Sequence, residues 1–488
     1  MAYLVRALIV LFLLFASANA VFAKPNIVVI LTDDQEDTGS MAYMPKVHSL
    51  LAERGLTFTN SFVNFSLCAP SRASFLTGQA AHNHGVISNE AIRSGGWQAF
   101  KSKEGNALPD WLKAAGYRTA LIGKYINESG AGADRGAPPT WMPPGWDLWF
   151  SFAGGDGYYD YQINDNGTIR KFDSTESDYS TDVLKERATQ FIADQADAKE
   201  PFFMLIAPRA PHAPSTSAPR HATLFADVIM PRTPAFNEDD VSDKPAWIRE
   251  APSLDASATA RLDNNYRSEL QSLQAVDDLV EAVCTALQKA GKWDDTYIIF
   301  TSDNGMIYGD HRRIGKILPY EGSIRVPLVV RGPGIPANQS RTELINNLDV
   351  VATVEELAGV EPELIADGRS LTPLFADAKA PWRSAILFEG SELGARPTSW
   401  LNYFRGLMGH ERSKKSQKDD GREFTAVRTA NRKYVRGGDG FEELYDLVAD
   451  PYELENKAAD PAYASDLATL RETLDLLKSC AGASCWVP

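Results

Sequence analysis

Charged and amide side chains follow four separated apolar segments of this 488-residue sequence. They are Asp33-Asp34 after residues 26–31, Lys124 after 118–122, His212 after 202–207 and Asp303-Asn304 after 297–300. Asp and Asn are ordinary turn residues, but lysine and histidine are not preferred in turns. Carboxylate and amide oxygens suit Ca²⁺ or Mg²⁺, whereas lysine can hold an anion and histidine can move a proton. The sequence therefore predicts one polar site assembled from four segments.

Cys68 opens a predicted short helix, because Pro70 fits a first helical turn and Gly78 fits the end of the helix. A helix N-terminus favours an anion, and Arg72, one turn later on the same side, adds a fixed positive charge. These residues alone leave two roles open for Cys68. It is either a thiolate nucleophile of lowered pKa or a buried structural cysteine.

The elements that must position these residues alternate along the chain. Short apolar runs predict buried strands at 26–31, 118–122, 202–207, 297–300 and 328–330, and helical patterns lie at 46–54, 109–115 and 270–289. A glycine follows each helical pattern, as expected for a left-handed cap. Alternation of this kind predicts an α/β fold with a mostly parallel sheet, in which ligands bind beyond the carboxyl ends of the strands.

The pattern of apolar and polar residues changes after about residue 380. Strand-like pieces occur at 425–429, 433–436 and 443–447, and Leu467, Leu470, Leu474 and Leu477 form the apolar stripe of a final helix. The very polar stretch 411–423 predicts an exposed loop. We therefore expect a catalytic domain over 24–380 and a small C-terminal α+β unit over 381–488, with an antiparallel sheet and a terminal helix.

The N-terminus resembles an export signal. Arg6 precedes ten apolar residues, 7–16, and Ser17–Ala20 then forms a small-x-small end, with Val21–Ala23 as a second option. Ten is too few for a spanning helix, which needs about 20. We therefore predict a cleaved signal peptide over 1–23, with an uncleaved anchor as the alternative, and a periplasmic or secreted protein, lysosomal or extracellular if eukaryotic. No stable membrane association is expected.

Composition and cysteine usage agree with an exported globular protein. Hydrophobic residues make up 44% and charged residues 23%, which excludes a disordered chain. A net charge of −15 makes general nucleic-acid binding a poor hypothesis, so an anionic substrate would need locally positive residues. Cys480 and Cys485 are close enough in sequence to pair, and Cys284 lies in an apolar helical stretch as a buried thiol.

Cys68-x-Pro70-Ser71-Arg72, followed by Leu76-Thr77-Gly78, resembles the motif of type I sulfatases, the formylglycine-dependent family of the alkaline phosphatase superfamily. Further matches occur in the family's order along nearly the whole chain from residue 24. They are Asn26–Gln35, Gly123-Lys124, Ser302–Gly305, Gly315-Lys316, Tyr320–Gly322, Val326–Leu328, Glu443–Leu447 and Asp450-Pro451. The resemblance implies an alkaline-phosphatase-like catalytic domain and a sulfuric ester hydrolase.

The resemblance also implies a role for each matched residue. In that family a formylglycine-generating enzyme oxidises the cysteine to an aldehyde. One hydroxyl of its hydrate attacks sulfur, and the other later releases sulfate. The implied roles are metal ligation for Asp33, Asp34, Asp303, Asn304 and residue 68, sulfate binding for Lys124 and Lys316, anchoring of the formylglycine for Arg72, protonation of the leaving oxygen for His212, and a place beside the sulfate for His311. The metal would be one Ca²⁺ ion, with Mg²⁺ second.

One position departs from the family. Many relatives have Gly-Lys-Trp-His, where the histidine is the base for the elimination step. Here Ile126 stands at the histidine position and cannot accept a proton. His84, in the run His82-Asn83-His84-Gly85, is a hypothetical replacement.

The departure also bears on the substrate. Gly123–Glu128 resembles the branch of N-acetylglucosamine-6-sulfatases and heparan endosulfatases. The same branch is resembled by residues 82–86, 143–146 and 276–280. The resemblance makes Asn127 a candidate substrate ligand. It also predicts a sulfated saccharide, preferably a 6-O-sulfated glucosamine. Six aromatic residues, Trp141, Trp146, Trp149, Tyr158, Tyr159 and Tyr161, either stack on a sugar ring or simply pack.

Two alternatives remain from the sequence. Phosphonate monoester hydrolases and phosphodiesterases of the same superfamily can share the cysteine motif and the metal ligands. A non-catalytic anion-binding protein would keep Cys68 as a thiol.

Overall fold

The computed structural model of the protein describes residues 24–37, 39–91, 94–132, 136–154, 157–391 and 423–487. The predicted signal peptide and nearly all of the polar loop at 411–423 lie outside these ranges. None of the helices within them combines the length and the apolar character that crossing a bilayer would require.

The described strands form one large sheet and three smaller ones. Their bounds are β1 Asn26–Thr32, β2 Leu56–Phe58, β3 Ser61–Phe62, β4 Arg118–Gly123, β5 Leu148–Phe152, β6 Tyr161–Asp165, β7 Thr168–Phe172, β8 Phe202–Ala207, β9 Thr296–Ser302, β10 Ile307–Tyr308, β11 Ile314–Gly315, β12 Leu328–Arg331, β13 Gln339–Arg341, β14 Ile345–Asn346, β15 Ala385–Gly390, β16 Phe424–Thr429, β17 Arg432–Gly437 and β18 Glu442–Asp446. The large sheet has the order β13-β2-β12-β9-β1-β8-β4-β5-β6-β7.

The centre of this sheet is parallel. Strands β9, β1, β8, β4 and β5 pair in parallel, whereas β12 runs antiparallel to β9, and β6 antiparallel to β5. Every residue of β1 and β8 is buried, as expected for strands that are covered on both faces. The prediction of a mostly parallel central sheet flanked by helices is confirmed, with antiparallel strands towards its edges.

Helices cover both faces of the sheet. Those of seven or more residues in the described chain are α1 Cys68–Thr77, α2 Leu108–Ala114, α3 Ser180–Asp194, α4 Ala256–Lys289, α5 Asn347–Ala358 and α6 Ala464–Leu477. Helices α1, α2 and α5 contribute to the apolar core on one face, and α3 and α4 to the core on the other. The short helix Pro45–Val47 and the five-residue turn His48–Ala52 occupy the predicted helix at 46–54.

Helix α4 begins fourteen residues before the predicted start at Leu270. Asp255 caps it, since its carboxylate accepts a hydrogen bond from Ala258 N at 2.7 Å. The added segment is largely polar in sequence, but its Leu262 and Tyr266 are buried in an apolar cluster with residues from other parts of the chain, such as Phe62 and Phe65. Its position therefore depends on tertiary packing, which a periodicity argument does not detect.

The C-terminal residues form the predicted small α+β unit. Strands β15 to β18 make an antiparallel sheet, and α6 buries the four leucines of its stripe against it. Cys480 and Cys485 are joined in a disulfide, and Cys284 is a buried free thiol, as expected. The division at residue 380 into two domains stays a prediction.

The aromatic residues proposed as stacking surfaces mostly pack in the core. Trp146 and Trp149 are buried on one face of the sheet, and Tyr158 and Tyr161 on the other. Trp141 is 39% exposed. Ordinary packing is therefore the correct interpretation for the four buried rings.

Candidate active site

The strand order brings the polar residues after four strands to one edge of the sheet. β9, β1, β8 and β4 are consecutive and parallel, so Asp303, Asp33, His212 and Lys124 all follow strand ends on the same side. Asp34 N–H donates to Asp303 Oδ1 at 3.0 Å, which ties the two acidic segments together. Asp34 also has φ 69°, a left-handed conformation that is uncommon for residues other than glycine.

Cys68 lies against these carboxylates. Its Sγ is 3.6 Å from Asp33 Oδ1 and 3.9 Å from Asp34 Oδ1, and Lys316 Nζ lies 2.9 Å from Sγ. One ligand atom each from Asp33, Asp34, Cys68 and His212 falls within 4.8 Å of the others. Helix α1 begins at Cys68 and ends at Gly78 in the left-handed conformation, as the sequence predicted. Residues from both halves of the chain thus meet at the predicted nucleophile.

The thiol of Cys68 is neutral in this setting. Burial raises its pKa to about 12, against the lowering effect of Lys124 and Lys316. A thiol of that pKa is protonated near neutral pH and is a poor nucleophile. The hypothesis of a thiolate of lowered pKa is therefore wrong for the unmodified residue.

Each of the three buried carboxylates contacts a buried cation. Lys124 Nζ donates to Asp33 Oδ2 at 2.5 Å, Lys316 Nζ donates to Asp34 Oδ1, and Arg72 Nε donates to Asp303 Oδ2 at 2.8 Å. Removing one member of such a pair would leave a buried charge uncompensated, which is strongly destabilising. Three negative and three positive side chains make this set neutral by formal charge.

The pKa values of the carboxylates differ, because burial and the neighbouring charges balance differently at each one. Burial alone would raise the pKa of Asp33, but the positive charge of Lys124, together with those of Arg72 and Lys316, holds it well below its usual value. For Asp303, burial and then the negative charge of Asp33 raise the pKa to about 6, in spite of Arg72. The pKa of Asp33 is thus lowered, whereas the pKa of Asp303 is raised.

The oxygen donors fit a divalent cation. Asn304 Nδ2 donates to Asp34 Oδ1 at 2.7 Å, while Asn304 Oδ1 is buried without a hydrogen-bond partner among the described residues. A buried amide oxygen in this position is costly unless something binds it. Together with the carboxylates of Asp33, Asp34 and Asp303 it forms a set of hard oxygen donors, which suits Ca²⁺ or Mg²⁺.

Comparison with known proteins agrees with this geometry. A profile of the sulfatase family matches residues 25–360. The N-acetylglucosamine-6-sulfatase of Homo sapiens is 37% identical over 485 residues, which cover 95% of this chain and 86% of the human protein. The chain belongs to the sulfatase family. It is therefore a sulfuric ester hydrolase.

Two solved structures share the fold of this sulfatase. One is BT4656 in complex with its substrate D-glucosamine-2-N,6-O-disulfate, with a TM-score of 0.76 and 24% identity, covering 93% of this chain and 97% of the other. The second is the phosphonate monoester hydrolase of Agrobacterium radiobacter, with a TM-score of 0.70 and 22% identity, covering 93% and 95%. At these identities the likeness establishes the alkaline-phosphatase-like fold.

His212 faces the acidic pair of the sulfatase. Its Nε2 lies 3.7 Å from Asp34 Oδ2, and its Nδ1 lies 2.8 Å from Ala213 O and 3.1 Å from Arg209 Nη2. Tyr158 holds the backbone in place by donating its hydroxyl to His212 O at 2.7 Å. Burial and then the positive charge of Arg209 lower the pKa of His212.

The structure gives His84 other partners than those of a catalytic base. Val86 N–H donates to Nδ1 at 3.0 Å, and Nε2 lies 3.0 Å from Ser74 Oγ. Burial, followed by the charges of Lys103 and His82, lowers the pKa of His84 to about 3. A ring with both nitrogens occupied and this pKa does not take up a proton at neutral pH. The hypothesis that His84 replaces the missing base loses its support, and Ile126 is buried in the core.

Two further predicted substrate ligands have local partners. His311 Nδ1 contacts Glu238 Oε2 at 2.6 Å, and its ring lies 4.3 Å from that of Tyr320. Glu238 therefore holds the buried ring of His311 through one of its nitrogens. The backbone oxygen of Asn127 accepts from Trp97 N at 2.8 Å, and its Oδ1 is buried without a hydrogen-bond partner in the described chain. Substrate contacts for both residues stay predictions.

His82 joins the segment after α1 to the C-terminal unit. Its Nδ1 lies 3.0 Å from Glu389 Oε1, and its Nε2 lies 2.9 Å from Cys480 O. Both partners are acceptors only, so both ring nitrogens donate and the ring is an imidazolium. Burial alone would lower the pKa of His82, but the bond to Glu389 outweighs it and raises the pKa to about 9.

This pair makes stability depend on pH in a defined direction. The pKa of His82 is about 9 in the folded protein, against an ordinary value of 6.5, so its stabilisation is complete below pH 6.5 and lost as the pH rises through 9. Because the ring is partly solvated, we expect a loss of about 1 kcal/mol rather than the full value of the shift. Thermal unfolding of the wild type and His82→Gln at several pH values should give a difference that shrinks across this range. Parallel curves would contradict the assignment.

Proposed function

We propose that this sulfatase removes the 6-O-sulfate from N-acetylglucosamine or a related glucosamine unit of a glycosaminoglycan, with residue 68 as the nucleophile. The observation that carries the proposal is the set of three buried carboxylates and three buried cations gathered around Cys68 Sγ. The substrate assignment is supported by the 37% identity to a human N-acetylglucosamine-6-sulfatase.

Two groups complete the proposed site. Asp33, Asp34, Asp303 and Asn304 would hold one Ca²⁺ ion, which when bound supplies positive charge to a sulfate oxygen and lowers the pKa of a coordinated hydroxyl. Conversion of Cys68 to formylglycine by a formylglycine-generating enzyme would supply a hydrated aldehyde with two hydroxyls. The second hydroxyl explains the need for a modified residue, since a serine would end as a stable ester.

The lysines and the arginine of the chain would bind and orient the sulfate group. Lys316 already lies within bonding distance of both Asp34 and the side chain of residue 68, so it would hold a sulfate oxygen beside the nucleophile. Lys124, on the side of Asp33, would hold a second oxygen. Arg72, on the same helix, would anchor residue 68, and its Nη1 also joins that helix to the end of β4 by donating to Lys124 O at 3.0 Å. Cations fixed where charge develops are the larger part of such catalysis.

The charge of the site explains how an acidic protein binds an anion. The three carboxylates and three cations of the cluster cancel, so a bound divalent ion would leave the pocket with two positive charges. A sulfate ester carries one negative charge, which this excess would attract at short range. The net charge of −15 lies elsewhere on the molecule and is screened by salt.

His212 would donate a proton to the leaving oxygen. A sugar alkoxide is a poor leaving group, so a general acid contributes about 10²- to 10⁴-fold. Burial lowers the pKa of His212, and the negative charge of a bound sulfate would favour its protonated form.

The proposed location is outside the cytoplasm. The disulfide between Cys480 and Cys485 is typical of oxidising compartments, and relatives of the chain include a putative extracellular sulfatase of Caenorhabditis elegans at 36% identity. The disulfide and the extracellular relative both fit a periplasmic or secreted protein with a cleaved signal peptide.

A desulfation assay tests the substrate. We expect the highest kcat/KM on 6-O-sulfated N-acetylglucosamine or its oligosaccharides, and values at least about 10²-fold lower on 2-O-sulfated sugars, because a misplaced sulfate loses the near-attack geometry. An aryl sulfate and an aryl phosphonate monoester serve as comparison substrates. A preference for the phosphonate would favour the alternative hydrolase, and activity on aryl esters alone would contradict a sugar substrate.

A further inference from the structure

The N-terminus of α1 is not capped by the residue that precedes it. Leu67 stands at the N-cap position and offers no side-chain acceptor. Pro70 has no N–H, and Ser71 N–H bonds to Leu67 O at 2.9 Å. The buried N–H of Ala69, directly after Cys68, instead donates to Asn89 Oδ1 at 2.8 Å.

Asn89 lies twenty residues further along the chain, directly after Ser88, whose carbonyl is hydrogen-bonded. Gly96 N–H donates to Ser88 O at 2.9 Å, which closes the loop on both sides of Asn89. Gly96 has φ 54°, and a Cβ there would come within 2.8 Å of Asn89 O and 3.0 Å of Asn127 O. Only glycine fits at this close approach, which brings Gly96 against the backbone of Asn89.

The same loop contacts the segment that follows Lys124. Trp97 N–H donates to Asn127 O at 2.8 Å, and Ala91 N–H donates to Glu128 Oε2 at 2.7 Å. The loop that carries Asn89 is thus braced by the residues three and four positions after the sulfate-binding lysine. It links the start of α1 to the end of β4.

We propose that Asn89 is a positioning residue for sulfate ester hydrolysis. By accepting the Ala69 N–H, it fixes the first turn of α1 and therefore the direction in which the side chain of residue 68 meets Asp33, Asp34 and Lys316. Asn89 touches neither the substrate nor the reacting atoms in this account. The inference rests on the proposed role of residue 68.

The first-turn geometry should matter mainly for the chemical step. A misplacement of about 1 Å at the nucleophile can lower the rate about 10²-fold, whereas the lysines that hold the sulfate stay where they are. We therefore expect Asn89→Ala to lower kcat by about 10- to 100-fold and to change KM by less than about threefold. The carboxylate of Asn89→Asp can still accept the Ala69 N–H. It should restore most of kcat while raising KM, because it adds a negative charge near an anion site.

The matched control is a cap on a helix that carries none of the proposed site residues. Asp255 Oδ1 accepts from Ala258 N at 2.7 Å at the start of α4, so Asp255→Ala removes an equivalent bond. It should lower the melting temperature, as loss of a cap does, and leave kcat unchanged.

The experiment measures kcat and KM of the wild type and these variants on a 6-O-sulfated N-acetylglucosamine substrate. Rates are divided by the fraction of chains with formylglycine at position 68, determined by peptide mass spectrometry, so that maturation and catalysis are separated. A low kcat in Asn89→Ala, recovery in Asn89→Asp and an unchanged kcat in Asp255→Ala support the proposal. A kcat within twofold of the wild type in Asn89→Ala, or no recovery in Asn89→Asp, overturns it.

Two points keep the result interpretable. If Asn89→Ala does not fold, Asn89→Asp decides alone, because it keeps an acceptor for the Ala69 N–H, and a kcat more than about tenfold below that of the wild type then overturns the proposal. Cys68→Ala is included as a reference. If it is as active as the wild type, the proposed nucleophile is wrong, whereas an inactive Cys68→Ala beside a fully active Asn89→Ala refutes only the role of Asn89.

Discussion

Cys68→Ala is expected to lower kcat/KM on a sulfated sugar by at least about 10⁴-fold, because it removes the group from which the nucleophile is made. The substitution should leave the fold intact. The side chain of Cys68 is small and buried, and α1 keeps its caps at Asn89 and Gly78. Steady-state kinetics on purified protein, with circular dichroism to verify folding, measure the effect.

Cys284→Ala is the matched control for the loss of a buried thiol. Cys284 lies in α4 among apolar residues on the far side of the sheet from α1, and burial raises its pKa to about 12, as it does for Cys68. We expect Cys284→Ala to lose about 1 kcal/mol of stability and to keep its activity. A Cys68→Ala enzyme with more than a few per cent of wild-type activity would show that hydrolysis does not pass through residue 68.

Lys316→Met is expected to lower kcat/KM by about 10³-fold. The ammonium of Lys316 contacts both Asp34 and the side chain of residue 68, so its loss removes a sulfate-binding charge and leaves Asp34 without its partner. The flexible methionine side chain fills most of the space, so the effect reports charge more than volume. Both kcat and KM should worsen, since the lysine would hold the sulfate in the ground state and in the transition state.

Lys433→Met distinguishes the loss of a catalytic charge from the loss of any buried charge. Lys433 is fully buried, like Lys316, but it lies in the C-terminal unit, where it pairs with Glu453 of that unit and with Glu321 from outside it. Its replacement should lower the melting temperature and leave kcat/KM of the folded fraction unchanged. Equal losses of activity in the two variants would mean that Lys316 acts only through stability.

The sequence predicted that the residues after four strands meet, but it did not predict some details of the fold. The residues after β1, β4, β8 and β9 could be expected to meet, because consecutive parallel strands end on the same side of a sheet. The antiparallel direction of β12 could not be foreseen, since a short apolar run has the same pattern in both directions. Single-sequence periodicity also missed the first part of α4, whose residues are mostly polar.

The roles of the individual histidines and of Asn89 could be assigned only from the three-dimensional structure. His84 is buried and His212 is largely buried, and only their contacts distinguish a structural ring from one that faces Asp34. Asn89 carried no signal in the sequence, because an asparagine in a loop is ordinary and its acceptor function depends on a contact across twenty residues. The pairing of Arg72 with Asp303 likewise joins positions 231 apart.

Peptide mass spectrometry of residue 68, on protein made in a host that contains a formylglycine-generating enzyme, tests the central claim most directly. The account predicts that the peptide containing this residue is lighter by about 18 Da than the unmodified sequence, as sulfur is replaced by oxygen with loss of two hydrogens. The peptide containing Cys284 should keep its full mass. An active enzyme in which Cys68 is entirely an unmodified thiol would contradict the account.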